Sequence, residues 1–179
     1  MTAALRKTGR KTYPAQIWAI ASVVNDHEEF RMTVNEEGIP STWDVVHPFF
    51  TVFNPERETF ASVRADYSRD FGVFHDAAVE LPATYRSATS LFPQGDESRN
   101  AFDISSLPWT SFSAFALNIE QGYGHHLPIF TLGRYLEREG RVLLPVAVQI
   151  HHAAADGFHT ARLLTELQEL FDSAEEWLG

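Results

Sequence analysis

The chain reads as α+β, a two-layer sandwich in which helices cover one face of a mixed sheet. Three observations predict this. Short apolar or alternating runs outnumber helical stretches. Most of those runs are joined by hairpin-length turns rich in Gly, Asn and Pro. The helical stretches each carry a single apolar face, as elements laid on a sheet do. A mostly hairpin-linked order favours antiparallel pairing, with room for some parallel strands.

The elements follow in order. Residues 2–10 form one short helical piece that is basic at its end. Pro14 sits early in a second helix, where its missing N–H costs little, and Ala15, Ile17, Trp18, Ala21 and Val24 keep helical spacing, with Trp18 read as core. Residues 30–34 alternate as a strand, 35–38 turn, and 41–46 return. Residues 48–53 make a third, aromatic strand, broken by Asn54-Pro55. From Thr59 a long helix is expected, with Phe60, Val63, Tyr67, Phe71, Phe74 and Ala78 on one face and Pro82 ending or kinking it. Residues 92–98 are a loop, 101–109 a strand, 111–118 an alternating strand and 120–127 a Gly-containing loop. Residues 129–136 and 141–151 pair as a hairpin across Arg138-Glu139-Gly140. A last helix over 158–178 buries Leu163, Leu164, Leu167, Phe171, Ala174 and Leu178.

Composition narrows the function. The 179 residues suffice for a core, and no repeat or linker divides them, so one domain over 1–179 is expected. Absence of cysteine excludes disulfides, thiolate metal sites and a cysteine nucleophile. A formal charge of −10 argues against non-specific nucleic-acid binding, although a local basic patch can still hold an anionic cosubstrate. The first residues lack the apolar core of a signal peptide, and no apolar run approaches the roughly 20 residues that span a bilayer. A soluble, cytoplasmic protein that does not engage membrane is the expectation.

The most informative stretch is Gln149-Ile150-His151-His152-Ala153-Ala154-Ala155-Asp156-Gly157-Phe158-His159, between an apolar strand and the last helix. Three readings compete for its histidines. Metal binding is disfavoured, because neighbours on a strand face opposite ways and no third ligand lies at a usual spacing. A structural pair held by backbone partners is the bland reading. General-base catalysis is the third: a neutral imidazole can take the proton of a hydroxyl as that oxygen attacks an activated acyl group. Asp156-Gly157 suits a tight turn in which the carboxylate caps or anchors the loop.

This eleven-residue stretch resembles the active-site signature of the chloramphenicol acetyltransferases, trimeric type A, and its His-x-x-x-Asp-Gly core is shared with other coenzyme A-dependent acyltransferases. Tyr13-Pro14-Ala15, Glu29-Phe30-Arg31-Met32, Trp43-Asp44, Val46-His47-Pro48, Thr51-Val52-Phe53, Glu58-Thr59-Phe60, Pro108-Trp109-Thr110-Ser111-Phe112 and the closing helix match the same family in order. The resemblance implies a two-layer acyltransferase fold, a homotrimer with sites between subunits, and antibiotic resistance by transfer of acetyl from acetyl-CoA to the 3-hydroxyl of chloramphenicol, with no metal. His152 is implied as the base, oriented through its other nitrogen by its own carbonyl, with His151 structural. Thr131 is implied to help hold the tetrahedral intermediate through water. Tyr135 is implied beside the adenine and Arg134 at the coenzyme phosphates, where a solvated hairpin is the competing reading. Phe112 and Phe115 line an apolar acceptor pocket or simply pack.

Two departures accompany the match. The family serine that donates to the developing oxyanion aligns with Ala114, and Ser113 on a strand would point the other way. The chain also begins inside the family pattern, without its N-terminal strand and the arginine that pairs with the motif aspartate, so Asp156 is expected to lack its partner. A start upstream of Met1 or a shortened relative, active on another acceptor or inactive, would account for this.

Overall fold

The computed structural model describes residues 1–95, 99–118 and 124–178. Helices α1 (Thr2–Thr8) and α2 (Thr12–Asp26) open the chain. A single 3-10 turn, Glu28–Arg31, leads to a small ribbon of β1 (Met32–Val34) and β2 (Pro40–Thr42), shorter than the two strands expected there. The main sheet follows: β3 (His47–Asn54), β4 (Thr59–Arg64), β5 (Ala101–Leu107), β6 (Ile129–Gly133) and β9 (Val146–Gln149), in the order β4-β3-β5-β6-β9. β3 runs parallel to β5 and β5 to β6, while both outer pairs are antiparallel. The sheet is therefore mixed. Helix α3 (Phe71–Tyr85) precedes β5, and α4 (Gly157–Asp172) and α5 (Ala174–Trp177) close the fold. α2 packs between α3 and α4 and against β3.

Register separates the faces. Val63, Phe50, Ile104, Phe130 and Val148 lie in one row across the five strands, and the first four are 0–1% exposed beneath the helices. Each buried phenylalanine contributes about 2–3 kcal/mol of burial free energy. The next row, Arg64, Phe49, Asp103, Ile129 and Gln149, belongs to the opposite face, as does the pair Ser105 and Thr131. Asp103, Ser105 and Thr131 thus belong to the face that the helices leave open.

Several elements differ from expectation. The long helix from Thr59 is instead β4, a turn and α3. Phe60 and Val63 satisfy helical spacing, but Ala61 and Val63 also alternate inward at 3% and 0% exposure, and pairing with β3 decides between the two patterns. α3 starts at Asp70, whose Oδ1 accepts from the Val73 N–H at 2.9 Å. It runs through Pro82 to Tyr85, since a proline in the last turn forfeits only one helical bond. No strand forms over 111–118: β6 already occupies the free edge of β5, and Leu117 donates its N–H to Gln149 Oε1 at 3.1 Å instead. The expected hairpin is cut in two. β7 (Leu136–Arg138) and β8 (Arg141–Leu143) form a separate ribbon, turned at Glu139 and Gly140 with φ of 53° and 73°. Pro145 cannot donate to a ladder, and its carbonyl accepts from Gly133 N–H at 2.9 Å where the ribbon leaves the sheet. Leu164, expected inside, is 40% exposed, while Leu163 and Leu167 are buried. Of the expected loops, residues 96–98 and 120–123 lie outside the described residues.

Candidate active site

His152 sits beyond the end of β9, in a turn closed by Ala154 N–H and Ala155 N–H on the carbonyl of His151, at 2.9 and 3.2 Å. The doublet is therefore not on a strand, and alternation does not assign its two rings. His151 Nδ1 accepts from Ala153 N–H at 3.1 Å, and its ring lies 4.7 Å from that of His126. His152 itself is exposed.

Asp156 fixes the far end of the turn. Its Oδ1 accepts from Phe158 N–H at 2.9 Å and His159 N–H at 3.3 Å, while His159 Nδ1 receives the Asp156 N–H at 3.3 Å. Asp156 thus caps the turn, as Asp156-Gly157 suggested; it is half-exposed, and its partners are the N–H groups of the helix it starts. The bonds from His159 hold its carboxyl below the ordinary value. Gly157 opens the helix without a positive φ, so the cap rather than glycine flexibility shapes the turn.

Thr131 is 3% exposed on the open face of β6, with Ser105 of β5 directly beside it. Sequence reasoning missed Ser105. Its signal is positional, an inward–outward alternation through Phe102, Ile104 and Ser106 that becomes informative only once β5 and β6 are registered. Ala114 and Ser113 lie on the irregular segment, both exposed, so strand alternation does not apply to them either.

Arg134 and Tyr135 stand where the hairpin is cut, and both line a cavity of about 420 Å³ with Trp109, Phe53, Gln16 and Leu144. Gln16 donates to the Tyr135 hydroxyl at 2.7 Å, and burial pushes that phenol up to about 12. Arg134 projects outward, its N–H bonded to the Thr110 carbonyl at 2.7 Å. Tyr135 also borders an adjoining cavity lined by Arg6, Arg10 and Lys11, a basic cluster whose relation to Tyr135 is not visible along the chain. Phe112 packs on Gly133, and its ring is 5.5 Å from that of Phe115, which is 38% exposed. The structure thus joins Arg134 with Tyr135 and Phe112 with Phe115. His152 lines none of these cavities. Among the described residues, no group of three or more His, Cys, Asp or Glu is arranged to hold a metal.

A mixed sheet with helices on one face is a fold this chain shares with solved acetyltransferases. A solved chloramphenicol acetyltransferase superposes with a TM-score of 0.83 at 21% identity, over 98% of this chain and 81% of that one. A dihydrolipoamide acetyltransferase of Azotobacter vinelandii gives 0.72 at 20% identity, over 99% and 75%. The chain itself belongs to the chloramphenicol acetyltransferase family and is an acyltransferase: the family model matches residues 1–168. A chloramphenicol acetyltransferase of Streptomyces acrimycini is 64% identical over 94% of this chain and 76% of its own length, and chloramphenicol acetyltransferase 2 of Haemophilus influenzae is 43% identical over 95% and 79%.

Proposed function

We propose that the protein transfers acetyl from acetyl-CoA to the 3-hydroxyl of chloramphenicol, and so confers resistance, with His152 as general base. The observation that carries this reading is the turn at 151–156. It presents the His152 ring to solvent on a backbone fixed by the Asp156 cap, while family membership supplies the reaction. A ring nitrogen of His152 takes the hydroxyl proton as the oxygen attacks the thioester carbon. The tetrahedral intermediate then expels the thiolate, which recovers the proton from the imidazolium, leaving ester and free coenzyme. Thr131 and Ser105 offer neighbouring hydroxyls on the open face, where a developing oxyanion gains from preorganised donors. Ser105 is therefore a second candidate for the donor that Ala114 cannot be.

The cavity at Tyr135 is the site this reading gives to acetyl-CoA. Trp109 and Tyr135 are aromatic surfaces for an adenine or pantetheine arm, and Arg134, Arg6, Arg10 and Lys11 are cations for phosphates in an otherwise acidic chain. Phe112 and Phe115 form an apolar wall for the acceptor. Because His152 lies outside every cavity described above, the reading includes an assembly, a homotrimer, in which His152 of one chain meets a pocket of the next.

The test is release of free thiol from acetyl-CoA in the presence of chloramphenicol. His152→Ala is expected to lower kcat by at least about 100-fold, the scale of a lost general base, with an unchanged Tm. Chloramphenicol-independent thiol release, or full activity in the variant, would overturn the proposal.

A further inference from the structure

The histidine turn goes where α4 goes, because Asp156 joins the end of the turn to the first N–H groups of that helix. The apolar packing of α4 begins late. Within residues 151–162 the one buried side chain is the methyl of Ala155, and the buried contacts of the helix start at Leu163 and continue at Leu167. Two residues four apart define a single line of contact, about which the helix start can swing.

Two ionic ties act beside that line. Arg162 Nη2 donates to Glu29 Oε1, in the 3-10 turn after α2. One turn further along, Glu166 Oε2 lies 2.5 Å from His27 Nε2. The Glu29 and His27 side chains are only 19% and 18% exposed, so these are not solvated surface pairs. Their backbone is anchored by Phe30, which is 0% exposed and whose ring lies 5.7 Å from that of His27. Arg162 also reaches back over the first turn of α4, with its Cζ 5.9 Å from the centre of the Phe158 ring. Phe158 is the residue whose N–H bonds Asp156 Oδ1. A continuous path therefore runs from Glu29 through Arg162, Phe158 and Asp156 to the turn that carries His152.

As a source of stability the Glu29–Arg162 pair is compromised. Arg162 Nε is shielded from solvent and has no hydrogen-bond partner among the described residues, a cost that offsets the bond to Glu29. What the pair fixes is the place where the helix begins. We propose that Glu29 is a positioning residue for the histidine turn, acting through Arg162.

This rests on the reading of His152 as the base. The experiment compares the wild type with Glu29→Gln, Arg162→Met, Arg162→Lys and the double variant Glu29→Gln/Arg162→Met. It measures thiol release with acetyl-CoA and chloramphenicol, and amide exchange at Ala154 and Ala155, whose N–H groups close the turn. Glu29→Gln is expected to lower kcat by about tenfold or more, with both KM values within about twofold of wild type. Exchange at Ala154 and Ala155 should accelerate by about tenfold while β5, the central strand, keeps its rates. The double variant should fall no further than either single one, and Arg162→Lys should recover most of the kcat lost in Arg162→Met. Unchanged kcat in Glu29→Gln, or exchange at the turn accelerated no more than in β5, overturns the positioning role and leaves acetyl transfer standing. Acceleration confined to the turn, without turnover in the wild type, sustains the positioning role and overturns the reaction. If Glu29→Gln does not fold, Arg162→Met against Arg162→Lys decides by the same readings.

Discussion

At Asp156 one carboxylate organises the transition from histidine turn to helix. Its depressed pKa means the folded state resists protonation more than the unfolded chain, whose value lies near the ordinary 3.8. The stability this provides is complete above that value and is lost as pH falls through the lower, folded value. Asp156→Ala should therefore lower Tm at pH 7 by a few degrees, with the difference from wild type shrinking below about pH 4. Asp156→Asn, a good cap without charge, should retain most of the Tm; thermal melts across pH check both. Gly133 is governed by space. A Cβ there would meet Phe112 Cε1 at 2.9 Å and Pro145 Cβ at 3.1 Å, both inside ordinary contact. Gly133→Ala should destabilise by about 1–3 kcal/mol in denaturant melts, and Phe112→Leu in the same chain should recover part of the loss. The sequence motif made Asp156 conspicuous but not its partner: Asp156 and His159 are three residues apart, the spacing of a reciprocal cap, with histidine where glutamate or glutamine is usual. Gly133 carried no local signal, because its reason lies twenty-one positions away in the ring of Phe112.

Elements were legible where one period had no rival. α2 and α4 followed their apolar spacing, and β3 its aromatic run. The 59–78 stretch failed because spacing of three and four residues coincided with an alternating run whose partner strand was already in place. Residues 111–118 failed for the opposite reason: the alternation was present and the edge was taken. Longer-range ties have no sequence signature at all. Asn25, at the end of α2, donates to the carbonyl of Val46 at 2.8 Å and accepts from its N–H at 2.9 Å, fixing the helix to the chain entering β3. Both atoms of Val46 are backbone groups of a residue 0% exposed. Asn25→Ala strands one buried donor and one acceptor, so a loss of about 2 kcal/mol or more is expected in urea unfolding, well beyond a typical surface substitution. Hydrogen exchange at Val46 N–H should accelerate in the same variant, since that amide loses its bond.

At the scale of the whole molecule, the proposed reading makes the trimer the functional unit. The polar groups that one chain can offer to a ligand lie on the helix-free face and at the cut hairpin, while exposed His152 lines neither the cavity at Tyr135 nor the one on the helix-free face beside Phe49 and His126. A site shared around a trimer makes a quantitative prediction. His152→Ala removes the base but leaves its chain's pocket; Thr33→Trp, in the wall of the helix-free-face cavity that Phe49 and His126 also line, blocks that pocket but leaves the base. Each alone should be nearly inactive. Coexpressed in equal amounts, they should assemble so that about three quarters of trimers are mixed, and in a closed ring each mixed trimer contains one site with an intact base facing an intact pocket. Recovered activity should therefore reach about one quarter of wild type per chain. A site contained within each chain predicts no recovery, because every chain is defective in one of its parts. Size-exclusion chromatography with light scattering supplies the companion measurement: a monomer at assay concentration, or coexpressed variants as inactive as either alone, would reject the shared site.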